Sequence, residues 1–327
     1  MSDWRDGERR IRFGAGGLDA APGLLGEESF EPYVLLTTER AAADAPALVE
    51  GATSVLHVPG GQVPEAAASV RPHVGGRDVV GLGGGRVIDS AKAIAGADGL
   101  RCAAIPTTLS GAELTPFHRM PAGVEEVRFA RPVLVIADPA LMASAPLPRL
   151  AASAMNALAH AMEALYTPAA NPVNDSVALR AASLIADGLG EEANPEALSL
   201  GALLAGVASG VAGIAFHHAL CQTIVRTAGT PHAETNAVML PHTARFAAGR
   251  APAVLGELAR ALGGEDAAQQ IAPLAALCGV VRLSELGVGS GQLDEVIEAT
   301  EGHPAMASTP GGSPSADELH AVLEAAL

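Results

Sequence analysis

The chain has 327 residues, of which 49% are hydrophobic and 17% charged, and this balance excludes a disordered protein. Its 36 acidic and 20 basic residues give a formal net charge of −16, which excludes electrostatic binding of nucleic acid or of an anionic membrane surface. Three widely spaced cysteines provide neither a disulfide framework nor a thiolate zinc cluster. Because the charged segment 1–12 is not followed by the apolar stretch of a signal peptide, we expect a cytoplasmic protein.

Strand and helix patterns alternate through the first half of the chain. Five short apolar runs predict buried strands, at residues 33–37, 54–58, 79–82, 102–105 and 132–137. Helices are predicted between them, at residues 41–50, 63–71 and 87–96. Such alternation predicts a Rossmann-like α/β domain, with a parallel sheet covered by helices on both faces.

After Asp138 and Pro139 the strand patterns stop and helical patterns follow. Helices are predicted at 150–166, 172–188, 195–226, 234–248, 251–263, 267–279, 284–287 and 292–300, with a last short helix near the end. The sequence therefore predicts a nucleotide-binding α/β domain over residues 1–148 and an all-α domain over residues 149–327.

Residues 198–225 contain no Asp, Glu, Lys or Arg, and this stretch is long enough to cross a bilayer. It is built mainly of Gly, Ala, Ser and small aliphatic residues, and it carries His217, His218 and Gln222 near one end. Because polar side chains are costly inside a bilayer, we predict a buried core helix and no membrane contact.

Three consecutive glycines, Gly83, Gly84 and Gly85, follow a predicted strand and open a predicted helix. Glycine lets the backbone approach an anion closely, and a helix N-terminus offers unpaired N–H groups. The run is also compatible with an ordinary strand-to-helix turn. The continuation from Asp89 to Lys92, D-S-A-K, makes phosphate binding the more specific interpretation.

The motif GGGRVIDSAKAIA resembles the GGGS-x-x-D-x-A-K signature of the iron-containing alcohol dehydrogenases and their relatives, the glycerol dehydrogenases and maleylacetate reductases, with Arg86 in place of the serine. The segments 13–16 (FGAG), 105–116 (IPTTLSGAELTP) and 132–139 (PVLVIADP) also resemble family motifs, and the second is most similar to maleylacetate reductases. The resemblance implies an α/β nucleotide-binding domain, a helical domain and an active site in the cleft between them.

The resemblance further implies that NADH or NADPH binds at the glycine turn. The implied cofactor-binding residues are Gly83, Gly84, Gly85, Arg86, Asp89, Thr37, Thr107 and Thr108. Lys92 is the only lysine of the chain, and we expect it to have a structural or phosphate-steering role. Because Glu39 and Arg40 follow the first predicted strand with opposite charges, the choice between NADH and NADPH stays open.

A second set of residues matches the metal site of the family, in which an Asp and a His lie four apart on one helix and two His lie fourteen apart. The matching residues here are Asn156, His160, His218 and His232. Asn156 replaces the aspartate, and an amide oxygen is a weaker ligand than a carboxylate. Three histidines can still hold zinc, so the binding of a divalent metal, zinc or iron, is left open.

The resemblance implies hydride transfer from NADH or NADPH to an unsaturated keto acid. His160, His218 and His232 would polarise the substrate oxygen, directly or through a metal. His217 would donate the proton, since an imidazole titrates near neutral pH. Gln222 replaces a histidine of the family and cannot act as an acid.

The substrate is expected to be a small carboxylate, and His118 and Arg119 are candidates for binding it. The alternative for these two residues is an exposed loop without function.

Three other functions stay open. The first is a metal-dependent alcohol or aldehyde dehydrogenase. The second is a non-redox elimination or cyclisation enzyme, since the superfamily includes dehydroquinate synthase-like cyclases, and the third is a non-catalytic relative. Metal content and cofactor binding discriminate among them. The resemblance also implies a homodimer.

Overall fold

A computed structural model describes residues 2–190 and 192–327 of the chain. It divides into two compact units between Ser144 and Ala145. The predicted boundary at residue 148 falls slightly later, inside the first turn of a helix that begins at Leu147.

The described residues of the first unit form one seven-stranded sheet. The strands are β1 (Ser2–Asp6), β2 (Arg9–Phe13), β3 (Tyr33–Thr37), β4 (Ser54–His57), β5 (Asp78–Gly83), β6 (Cys102–Pro106) and β7 (Leu134–Ala137). Their order across the sheet is β1-β2-β7-β6-β5-β3-β4. All neighbours are parallel except β1, which pairs antiparallel with β2. The predicted parallel, Rossmann-like sheet is confirmed.

Helices cover both faces of this sheet because successive side chains of a buried strand point to opposite faces. The helices are α1 (Gly17–Glu27), α2 (Glu39–Ala43), α3 (Pro46–Gly51), α4 (Val63–Val70), α5 (Gly85–Asp98) and α6 (Pro139–Met142). Leu35 of β3 packs in a core with residues of α1 and α3, whereas the next residue, Leu36, packs in a core with residues of α4 and α5.

The chain reverses its direction across the sheet between β3 and β5. After β3 it adds β4 on one side, and after β5 it adds β6 and then β7 on the other side. The carboxyl ends of β3 and β5, at Thr37 and Gly83, therefore form the topological switch point. Open α/β sheets bind their ligands at such a point.

Three features of the first unit differ from the prediction. The β1–β2 hairpin and α1 were not predicted, although Ile11 and Phe13 alternate with arginines in β2 as in a half-buried strand. The helix predicted at 41–50 is two short helices, α2 and α3, because Pro46 opens a new helix.

The second unit is helical throughout residues 145–190 and 192–327, as predicted. Its helices are α7 (Leu147–Ala164), α8 (Pro172–Gly188), α9 (Pro195–Ala212), α10 (Phe216–Ala228), α11 (His232–Arg250), α12 (Pro252–Ala261), α13 (Ala267–Ala276), α14 (Leu293–Glu301) and α15 (Ala316–Ala326). The residues predicted as a helix at 284–287 fall in a short 3₁₀ turn, Leu283–Leu286.

The helix predicted over 195–226 is two helices. Gly213 has φ +78° and ends α9, and α10 begins at Phe216. Within the described residues α9 alone is long and apolar enough to cross a membrane, and half of that span is buried in the protein. It packs against α7 and α8, which fits the predicted core helix.

Candidate active site

The glycine turn joins β5 to α5 and packs against the loop 107–110. A Cβ atom on Gly83 would lie 2.7 Å from Cβ of Val87, and one on Gly84 would lie 3.1 Å from Cγ2 of Thr108. The N–H of Thr107 donates to the carbonyl of Gly83 at 3.0 Å. Only glycine therefore allows the turn and this loop to lie so close together.

The surroundings of the turn suit an anion. The first N–H groups of α5 have no acceptor within the helix and lie at its positive end. Arg86 is exposed in the first turn of α5, and its guanidinium forms no ion pair with any described residue. The hydroxyl oxygen of Thr108 is buried without a partner. These groups can hold the pyrophosphate of a dinucleotide.

Two residues predicted to bind the cofactor have other partners. Thr37 is fully buried, and its hydroxyl donates to the carbonyl of Thr38 at 3.4 Å. Asp89 accepts from Nζ of Lys92 at 2.8 Å. Both side chains are thus held by the protein itself, and their binding of the cofactor stays a prediction.

Lys92 ties α5 to the loop 112–117. It is fully buried, and besides Asp89 its Nζ donates to the carbonyls of Ala112 at 2.9 Å and Phe117 at 2.8 Å. Of the two roles expected for Lys92, structural and phosphate-steering, these contacts favour the structural one.

Glu113 lies in the same loop and was not predicted to matter. Its side chain is fully buried, and neither carboxyl oxygen has a partner. Burial raises the pKa of Glu113 to about 7, although the nearby Lys92 charge acts in the opposite direction. A carboxyl group of this kind is uncharged over much of the physiological pH range.

His118 does not have the surroundings of a substrate ligand. Its Nδ1 donates to the carbonyl of Arg119 at 3.3 Å, and its Nε2 accepts from the N–H of Ala130 at 3.0 Å. The ring also contacts Phe129 edge-on, with 5.4 Å between centroids. Since both ring nitrogens are used, His118 holds the segment 117–130, and these contacts favour a structural role over its predicted substrate role. Arg119 is exposed and stays a candidate.

In the second unit, the predicted histidine cluster is assembled from α7 and α10. The rings of His160 and His218 stack with 4.0 Å between centroids and 16° between planes. His217 lies edge-on to His218 at 5.2 Å. Burial lowers the pKa of His160 well below its ordinary value and that of His218 to about 3. Both imidazoles are therefore neutral at pH 7.

Glu163, one turn after His160 on α7, binds His218 twice. Its Oε2 accepts from Nδ1 of His218 at 2.7 Å, and its Oε1 accepts from the N–H of His218 at 3.1 Å. Glu163 is fully buried, and the N–H of Ala215 donates to it as well. Sequence reasoning missed this residue, although its spacing of three from His160 places both on one helix face.

His217 is surrounded differently from the predicted proton donor. Its Nε2 lies 2.9 Å from Oδ1 of Asn236, and its Nδ1 lies 2.8 Å from Oγ1 of Thr243. The amide nitrogen of Asn236 donates to the carbonyl of His232 at 2.7 Å, so its oxygen faces His217 and accepts from Nε2. Burial lowers the pKa of His217 to about 3.

These contacts do not favour His217 as the proton donor, and its role stays a prediction. A fully buried imidazole with two hydrogen bonds and so low a pKa does not titrate near neutral pH. His217 belongs instead to a series of hydrogen bonds that runs from Thr243 through His217 to Asn236 and then to His232.

His232 is the exposed member of the set, at the first position of α11. Its Nε2 lies 3.3 Å from the amide nitrogen of Asn236, which donates to it. Because Asn236 lies four residues later on the same helix, the pair could have been found from spacing alone.

Three buried polar atoms of the cluster have no partner: Oδ1 of Asn156, Nδ1 of His160 and Nε2 of His218. Within residues 2–190 and 192–327, however, no three His, Cys, Asp or Glu side chains are arranged to hold a metal ion. In stacked rings the nitrogen lone pairs lie in parallel planes and do not converge, and the amide of Asn156 adds no charge. The arrangement therefore does not fit the metal site that the resemblance implies.

Comparison with known proteins identifies the family of the chain. Residues 12–146 match the family model "Iron-containing alcohol dehydrogenase", and residues 150–327 match the model "Fe-containing alcohol dehydrogenase family, C-terminal". The maleylacetate reductase of Sphingobium indicum is 34% identical over 300 residues, which cover 85% of each chain. Maleylacetate reductase 1 of Rhodococcus opacus is 40% identical over 236 residues, which cover 68% of this chain and 66% of the relative.

The fold leads to the same family. The crystal structure of maleylacetate reductase from Rhizobium sp. strain MTP-10005 has a TM-score of 0.85 and 30% identity, and the match covers 99% of this chain and 97% of that one. The chain is an NAD(P)H-dependent oxidoreductase similar to maleylacetate reductases, and it belongs to the iron-containing alcohol dehydrogenase family.

Proposed function

We propose that the protein reduces an unsaturated keto diacid with NADH or NADPH, and its similarity to proteins named maleylacetate reductases supports this proposal. The observation that carries the proposal is the set of three unpartnered buried atoms, on Asn156, His160 and His218. Buried polar atoms are costly when unpaired, so a substrate that supplies hydrogen-bond partners is bound favourably.

The cofactor supplies the hydride. The glycine turn and the α5 N-terminus would hold its pyrophosphate, with Arg86 and Thr108 at the same place. The hydride leaves C4 of the dihydronicotinamide and forms a C–H bond at the alkene carbon β to the ketone. The alkene electron pair moves toward the ketone, whose oxygen becomes an enolate oxygen, and the α carbon then takes one proton.

The histidine cluster would act on the substrate oxygen. His160 can donate from Nδ1 to the developing enolate oxygen, which stabilises negative charge as it forms. Nε2 of His218 and Oδ1 of Asn156 are acceptors, and they suit the hydrogens of a water molecule or a substrate hydroxyl beside that oxygen. No step needs a metal ion.

The proton for the α carbon is assigned to His232 and not to His217. His232 is exposed at the start of α11, so its ring can exchange protons with water. The contact with Asn236 fixes Nε2 as the acceptor, so the neutral ring of His232 carries its proton on Nδ1. As this proton passes to the α carbon, Nε2 takes one proton from water, and the ring stays neutral.

A metal-independent alcohol dehydrogenase is the second candidate, favoured by the acceptor Nε2 of His218, which can bind an alcohol hydroxyl. Elimination or cyclisation is disfavoured, since the relatives described above are reductases. We also infer a homodimer and a cytoplasmic location, on the basis of the resemblance and of the three free, buried cysteines.

A fluorescence titration with NADH and then NADPH tests cofactor binding. Loss of the absorbance of the reduced cofactor, with maleylacetate as substrate, tests the reaction. We expect saturable micromolar binding of one cofactor and its oxidation when maleylacetate is added. Binding without oxidation, together with oxidation of simple alcohols by NAD⁺ or NADP⁺, would favour the second candidate. If neither cofactor binds, the reductase proposal is wrong.

A further inference from the structure

We propose that Glu163 is a positioning residue that fixes His218 in the Nδ1–H tautomer and so keeps Nε2 as an unprotonated acceptor for the substrate. The inference rests on the proposed function for its consequence in catalysis, but not for its structural content. Glu163 is not among the predicted catalytic, metal-binding or cofactor-binding residues.

The geometry of the carboxylate carries the inference. Two donors of His218, the ring Nδ1–H and the backbone N–H, reach different oxygens of Glu163 at 2.7 and 3.1 Å. The N–H of Ala215, the residue before α10, is a third donor. Burial raises the pKa of Glu163, whereas the N–H groups of Ala215 and His218 act in the opposite direction. In its ionised form the carboxylate only accepts hydrogen bonds, so every nitrogen that faces it carries the proton.

The same contacts hold the ring in place. Ala215 is the residue before α10, and it has no polar side chain that could cap the helix. Glu163 caps α10 from α7 and also binds the ring of His218. A negative charge is favoured at this positive end of the helix. With Nδ1 protonated, the neutral ring leaves its lone pair on Nε2, which is the buried atom without a partner.

Histidines that ligate a metal are commonly oriented by a carboxylate on the other ring nitrogen, and removing it costs about 10- to 100-fold in affinity or activity. We expect a loss of the same size for a histidine that binds substrate. Glutamine at position 163 has nearly the same shape but one donor. Its oxygen is expected to accept from the two backbone N–H groups, because these groups can only donate. Its NH₂ would then face Nδ1, which must become the acceptor, and the proton would move to Nε2.

The experiment is ¹⁵N NMR of protein labelled at histidine, in which the two ring nitrogens of each neutral tautomer give opposite shift patterns. His218 is assigned by its absence in His218→Asn. We expect the Nδ1–H pattern in the wild type and in Glu163→Asp, and the Nε2–H pattern in Glu163→Gln. In maleylacetate reduction, kcat of Glu163→Gln should fall about 10- to 100-fold with little change in KM.

Glu113→Gln is the matched control, because Glu113 is also a fully buried carboxyl but lies in the first unit. It should leave the His218 pattern unchanged. A wild-type His218 with Nε2–H, or Glu163→Gln with an unchanged pattern, overturns the inference. If Glu163→Gln does not fold, the tautomer of His218 in the spectra of the wild type and of Glu163→Asp decides whether the inference holds. The spectra are recorded without substrate, so they test the tautomer of His218 independently of the proposed reaction. Failure of that reaction is seen in the kinetic assay alone.

Discussion

His217 and His232 lie on neighbouring helices of one unit, but only His232 is exposed to water. His232→Gln should therefore lower kcat for maleylacetate reduction by about 10²- to 10⁴-fold, the range for loss of a general acid. His217→Gln should lower kcat less and should leave the shape of the kcat–pH profile unchanged, since its pKa of about 3 lies outside the measured range. Steady-state kinetics between pH 5 and 9 checks both.

The outcome that would contradict this assignment is specific. If His217→Gln abolishes the pH dependence while His232→Gln retains it, the proton passes through the buried ring. Circular dichroism of both variants is the control for folding, because His217 also holds Asn236 and Thr243.

Glu113 is the residue whose environment most directly predicts a pH effect on stability. Its pKa is raised to about 7, so between pH 4.5 and 7 the folded state holds a proton that the unfolded state releases. This contribution makes the free energy of unfolding fall as pH rises through that window. Glu113→Gln removes it, and the variant should be more stable than the wild type at pH 8 by up to about 3 kcal/mol, at about 1.4 kcal/mol per pKa unit.

Urea unfolding at pH 4.5 and pH 8 measures this difference, which should be largest at pH 8 and small at pH 4.5. Glu65→Gln, at an exposed position of α4, is the control for loss of a charge without loss of a buried carboxyl. A Glu113→Gln variant that is less stable than the wild type at pH 8 would show that the carboxylate has partners there.

At the residue scale, helical periodicity predicted that Asn156 and His160 share one face of α7, and the resemblance to the family added His218 to them. Periodicity could not distinguish His217 from His218, which are adjacent in sequence. Their difference arises from partners on other helices, Glu163 for one and Asn236 with Thr243 for the other. The partners of His118 were not predictable for a similar reason, since they are backbone groups.

At the scale of elements, α5 and the segment 117–130 are packed so closely that one methyl group matters. A Cβ on Gly96 would lie 2.1 Å from the carbonyl oxygen of Arg128, and a backbone atom cannot rotate away. Gly96→Ala should therefore destabilise the protein by about 1–3 kcal/mol. It should also increase trypsin cleavage at Arg119 and Arg128, which are exposed in that segment.

Gly23→Ala is the matched control, since Gly23 is an exposed residue of α1 with no atom within 4 Å of the added Cβ. This change should stabilise the protein by about 0.5–1 kcal/mol. Equal urea midpoints for the two variants would contradict the close packing at Gly96.

The elements themselves were predictable where hydrophobic periodicity was unbroken. The strand at 33–37 and the helix at 172–188 were predicted with their observed bounds. Charged β1 and β2 were missed because arginines and acidic residues that pair with each other across the hairpin look like a solvated tail in sequence. The break at Gly213 was missed because glycine among small residues is also common in helices.

At the scale of the whole molecule, the family name implies iron, but the donor arrangement of this chain does not. We expect the purified protein to contain far less than one equivalent of iron or zinc, and dialysis against a chelator to leave kcat unchanged. Elemental analysis and kinetics before and after dialysis check this. Loss of activity that is restored by Fe²⁺ or Zn²⁺ would show that the rings of His160 and His218 rearrange around a metal.

The single lysine of the chain has a practical consequence. A protease specific for lysine can cut only after residue 92, inside a helix whose buried lysine is held by several oxygen acceptors. Cleavage there requires α5 to unwind, so the native protein resists the enzyme until the nucleotide-binding unit opens. The rate at which the two fragments appear thus reports the opening of that unit alone, and a bound dinucleotide that stabilises it would slow their appearance.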